Sequence, residues 1–285
     1  MENKVSKDLI ILPNKLIKIK YKKPYILRFK NKNQEMIYFG AEHSNSYKDK
    51  HFSKIEKILE EFIKENGFKK VIILAEGILP EKDEKKEALI EKYKEAGMLY
   101  YLAQKNKIKI ESLELTLEEI IKETIKDGFK KERIILWLFI NLLWGKLGNN
   151  KEKRNIKEED LKETEQTLFI ICKKLKIVKK KEDASIKFLI KKFKEETGKD
   201  ILEIKMNEIK KYQSPFKNDF PTNKVSSHIN FIKDYFMAKE IIERLEDKKS
   251  VFASAGHNHV VAQEPVLKKF FILPPTLRVG TKEKK

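Results

Sequence analysis

VFASAGHNHVV, residues 251–261, carries the strongest signal in this chain: small and β-favouring residues close on Gly256, and two histidines, His257 and His259, follow at once. A second stretch, MIYFGAEHSNS at residues 36–46, has the same form, with Gly40 three positions ahead of His43 as Gly256 is three ahead of His259. A strand pattern that ends in glycine and passes into a helical pattern places an imidazole just beyond the carboxyl end of a strand, where the ligand sites of α/β sheets lie. The two motifs use three of the five histidines.

Around these motifs, the N-terminal segments 9–12, 16–21, 25–29 and 36–39 read as strands of a β-hairpin region, with Asn31-Lys32-Asn33 as a turn. Ile55, Ile58, Leu59, Phe62 and Ile63 then recur at helical spacing, and Asn66-Gly67 closes that helix. Residues 71–75, VIILA, form a short β-branched run followed directly by Glu76-Gly77. A helix over 85–104 leads to a strand over 108–113. This alternation predicts the α/β class, a mostly parallel central sheet flanked by helices. From 117 to about 221 only helical patterns occur, broken at Gly128, at 145–150, near 178–183 and at Gly198. Residues 116–223 therefore read as an all-helical insertion or cap on a core built from 1–115 and 224–285. A Pro-containing loop, 214–223, returns the chain to a long amphipathic helix, 227–245, ahead of the strand 251–255.

Composition bounds the function classes. With 285 residues and 40% hydrophobic content the chain buries a substantial core. The net charge of +19 raises the question of nucleic acid. Only five of the 63 basic residues are arginines, and the lysines are interleaved with glutamate and isoleucine along the whole chain, which describes a solvated surface and argues against nucleic acid as partner. One cysteine, Cys172, excludes an internal disulfide, fits a reducing, cytoplasmic location, and in TLFIICKKL reads as a buried core thiol. The most apolar window, 134–147, is interrupted by Asn141 and Lys146 and is shorter than the ~20 residues of a membrane span. It reads as a buried helix or a pocket lining. His51 reads as a surface residue and His228 as the opening of the return helix. The sequence does not fix an oligomeric state.

If the strands ending near Gly40, Ala75, Leu113 and Ala255 share one parallel sheet, their exits converge on one edge. Glu42, His43, Glu76, Glu111, Glu114, His257 and His259 would gather there. His43, Glu76 and His259 with Glu111 or Glu114 could hold a divalent metal such as manganese, zinc, cobalt or iron. The same set permits metal-free hydrolysis. One histidine takes a proton from water while a glutamate fixes its tautomer and a second histidine protonates the leaving group.

The motifs FGAEH, ILAEG, SLEL, KDYFMAKEI and FASAGHNHVVAQ, in this order, resemble the TraB, Tiki, ChaN and erythromycin-esterase-like superfamily. The resemblance covers residues 35–114 and 225–266. It implies an α/β core with a helical insertion and a site at the carboxyl ends of the strands. His43 matches the first histidine, Glu76 the acidic partner, Lys233 and Asp234 the helix motif, and His257 or His259 the last histidine. Lys233 stands where many members carry arginine. The expectation is a hydrolase of ester or amide bonds acting on a small-molecule or peptide substrate; members that bind haem make a haem- or metal-binding protein the alternative.

Overall fold

A computed structural model describes residues 5–42, 46–82, 84–147 and 154–272 of the chain. Its framework is one five-stranded sheet in the order β1-β2-β5-β3-β4, from β1 (Tyr25–Lys30), β2 (Glu35–Ala41), β3 (Val71–Ala75), β4 (Lys109–Ser112) and β5 (Ser250–Gly256). β2, β5, β3 and β4 run parallel, and β1 pairs antiparallel with β2 at the edge. The β1–β2 hairpin closes where read, because the Asn31 side chain accepts the backbone N–H groups of Asn33 and Gln34.

The first two expected strands do not form. A 3-10 turn, Lys7–Leu9, and the short helix α1 (Pro13–Leu16) form there instead, and the rest of 9–12 and 16–21 is turn or irregular backbone. Proline at the first helical position presets φ, so Pro13 turns the apolar run IIL into the lead of a helical turn. The other helices are α2 (Lys50–Asn66), α3 (Lys86–Asn106), α4 (Leu117–Lys126), α5 (Lys131–Leu147), α6 (Glu158–Lys174), α7 (Ile186–Thr197), α8 (Pro221–Glu246) and α9 (His257–Ile272). α2 ends at Gly67, whose φ of 78° suits glycine. α8 starts at Pro221, inside the segment read as a return loop, because proline and the buried Thr222 and Asn223 serve as its first turn. His228 therefore lies within α8, stacked on Phe129 and 3.1 Å from Asp127, and does not open the helix.

The chain divides into two compact units, one of Met1–Leu12, Lys18–Leu115 and Lys233–Lys285, the other of Pro13–Ile17 and Thr116–Ile232. In the first, side-chain alternation gives the sheet two apolar faces. Ile37, Phe39, Ile73, Ala75 and Phe252 bury against Phe52, Leu59 and Phe62 of α2 and Leu99 and Leu102 of α3. Tyr38 faces the other way, toward α9. A sheet covered on both faces explains why β2, β3 and β5 are buried along their whole length. In the second unit α5 is apolar on every side and packs against α6 and α7. Cys172 is buried in α6, and burial pushes its thiol up to about 12, so it is a packing group and not a nucleophile. Among the described residues no helix is long and apolar enough to cross a membrane.

Candidate functional site

The parallel strands deliver their exits to one edge. β5 ends at Gly256, and His257 begins α9 without an intervening loop. At neighbouring β3, Glu76 continues the ladder past the last strand residue: its backbone N–H donates to Ser254 O (2.8 Å) and its side chain accepts from the Gly256 N–H (2.6 Å). The carboxylate thus sits at the amino end of α9, where unpaired N–H groups and the helix dipole favour negative charge.

Near the start of α9, His259 lies between two carboxylates. Its Nδ1 is 2.8 Å from Asp234 Oδ1 on α8 and its Nε2 is 3.5 Å from Glu76 Oε1. Asp234 is 2% exposed, and the same Oδ1 accepts from Gln263 Nε2 (2.9 Å). Gln263 Oε1 accepts in turn from the Tyr38 hydroxyl (3.2 Å). Four elements, β2, β5, α8 and α9, and the residue that follows β3 thereby contribute to one relay, buried at Tyr38, Gln263 and Asp234 and partly exposed at His259 and Glu76, where it ends on the Gly256 N–H.

Burial opposes the charge on His259, but the carboxylates of Asp234 and Glu76 outweigh it and raise the imidazole from 6.5 to about 9. Burial pushes the Asp234 carboxyl up, against the pull of His259 and Gln263. Burial and the charges of Glu76 and Asp234 hold the Tyr38 phenol well above its usual 10, so it acts only as a neutral donor. The raised value favours the protonated ring, whose Nε2 lies 3.5 Å from the Glu76 carboxylate.

The remaining sequence-derived residues separate. His257 turns toward the β2 end, with Nδ1 3.0 Å from Ala41 O and its ring 5.6 Å from that of Tyr21. Gly40 permits this approach, because a Cβ there would lie 2.7 Å from Tyr25 O and 2.9 Å from His257 Cα. Glu42 pairs with Lys23 in an exposed contact, Lys233 with Glu114 at 3.1 Å, and Glu111 with Arg244 at 2.7 Å. His43 lies outside the described residues. His51, read as a surface residue, is instead half-buried between Asp49 and Glu95 (3.0 and 2.9 Å), because α3 bends to meet it.

Glu111 and Glu114 are thus committed to basic partners, and both ring nitrogens of His259 face carboxylates. Among the described residues no group of three or more histidine, cysteine, aspartate or glutamate side chains is arranged to hold a metal ion. Sequence reading missed Tyr38 and Gln263. The signals were there: Gln263 is one helical turn beyond His259, and Tyr38 alternates with the core residues Ile37 and Phe39. Compared with protein-family models, with curated proteins and with solved structures, the chain matches none.

Proposed function

We propose that this chain hydrolyses ester or amide bonds, with Glu76 as the base that activates water and His259 as the proton donor to the leaving group. The observation that carries the reading is the ring of His259 held between the Asp234 and Glu76 carboxylates at the carboxyl edge of a parallel sheet. Water loses a proton to Glu76 as its oxygen attacks the substrate carbonyl carbon. The tetrahedral intermediate collapses as His259 Nε2 gives its proton to the departing oxygen or nitrogen, releasing the acid with an alcohol or amine. The proton on Glu76 then returns to His259 across the 3.5 Å that separates them, restoring both groups. Asp234, fixed by Gln263, holds the ring orientation and favours its charged form.

The resemblance of the sequence motifs to the TraB, Tiki, ChaN and erythromycin-esterase-like superfamily supports the same assignment and adds His43, from the first Gly-x-x-His motif, as a further candidate base. Among the described residues the donors are not arranged to hold a divalent metal, and the cycle above uses the Glu76 and His259 side chains. The reading is tested by screening esters and amides for turnover and comparing wild type with His259→Gln and Glu76→Gln. Each substitution is expected to lower kcat by about 10²-fold or more with the fold intact by circular dichroism. A His259→Gln variant that turns over a confirmed substrate at the wild-type rate removes His259 from the chemistry.

A further inference from the structure

Helix α3 is not regular where it passes the loop after β3. Lys94 has φ 54° and ψ −127°, a backbone region that L side chains rarely adopt, and the kink turns Glu95 inward to 5% exposure. There Glu95 Oε1 lies 2.9 Å from His51 Nε2, while His51 Nδ1 lies 3.0 Å from Asp49, the N-cap residue of α2. Burial opposes charge on His51, yet Glu95 and Asp49 outweigh it and raise the imidazole above its ordinary value. The residue after Glu95, Ala96, packs on the site loop: a Cβ on Gly77 would lie 3.6 Å from the Ala96 Cβ. Gly97 completes the bend, since a Cβ there would meet Leu89 O at 2.1 Å. Gly77 directly follows Glu76 in the chain.

We propose that His51 and Glu95 are positioning residues that hold the α3 kink against Gly77 and so keep the Glu76 carboxylate beside His259. Strained backbone persists only where surrounding contacts over-determine it, and the ion pair with His51 supplies that constraint from α2. The proposal deepens the hydrolytic reading and takes its catalytic meaning from it, although the geometry can be tested without any substrate.

The experiment is a proton NMR titration of the His259 ring in the full chain, wild type beside His51→Gln, with kcat measured on a substrate the wild type turns over. If the kink relaxes and Glu76 withdraws, the His259 midpoint falls by about one pH unit, the effect of losing a close carboxylate. Removal of the His51 charge acting only through space would move it the other way, because a nearby cation disfavours the imidazolium. An unchanged or raised midpoint overturns the proposal. Glu95→Asp keeps the charge and shortens the reach, so it is expected to give the same fall, and it decides the matter if His51→Gln does not fold. Should Glu76→Gln abolish turnover while His51→Gln and Glu95→Asp leave both midpoint and kcat unchanged, the positioning role fails and the hydrolytic reading stands. A lowered midpoint in a protein that hydrolyses nothing sustains the positioning role and removes the hydrolytic reading.

Discussion

Asp234 shares the charge on His259 with Glu76, and it is the more deeply buried of the two. A buried aspartate that accepts from both His259 and Gln263 fixes the imidazole through its Nδ1 and leaves Nε2 toward Glu76. Asp234→Asn keeps the shape and removes the charge. Turnover on a confirmed substrate is expected to fall by about 10²-fold or more, and the midpoint of His259 to drop from about 9 toward its ordinary 6.5. A kcat–pH profile and a ring titration check the two effects together; an unaltered midpoint would show that Asp234 does not set the charge of the ring. Sequence alone placed Glu76 and His259 at one sheet edge, and Asp234 entered only through the motif resemblance. It left His257 and His259 undistinguished, because two residues along a helix turn the side chain by roughly 200°, and only packing says which side meets Asp234.

Among the secondary-structure elements, strand–helix junctions without slack decide where these side chains go. Gly256 passes into α9 at His257, and the β2 end must lie close enough for Ala41 O to meet His257 Nδ1 (3.0 Å). Gly40 makes room for this, so Gly40→Ala is expected to destabilise the protein by about 1–3 kcal/mol in urea unfolding, with the clash falling on backbone that cannot rotate away. A variant as stable as wild type would mean that the junction has slack. The hairpin turn, the β-branched run of β3 and the glycine-closed run of β5 were legible as short apolar segments bounded by turn residues. Residues 9–12 misled for the same reason: the run is apolar and short, and period alone does not separate a strand from the lead of a helical turn opened by proline.

For the whole molecule, the His259 relay couples stability to pH. Its folded value of about 9 lies above the unfolded 6.5, so its contribution is complete below pH 6.5 and is lost as pH rises through 9. Up to about 3 kcal/mol is at stake, part of it offset by the burial of Asp234. Urea midpoints of wild type and His259→Gln, measured from pH 6 to pH 10, are expected to converge as pH rises. Curves that separate with rising pH would reverse the sign assigned to this group. Exposed pairs such as Lys23 with Glu42 are screened by solvent and contribute little to stability.

The fold class and the sheet edge are written in the chain alone: periodicity marked the parallel strands and helices, and glycine-histidine endings pointed to the carboxyl side of the sheet. These are local properties, carried by residues that are neighbours in sequence. The partners came from tertiary structure. Tyr38 and Gln263 stand 225 positions apart, yet they share one relay with Asp234, and Glu95 reaches His51 across a bend that no helical pattern in KKEALIEKYKEAG announces. Burial made each of those polar groups find a partner, and which partner was within reach depended on how the strands and helices stack.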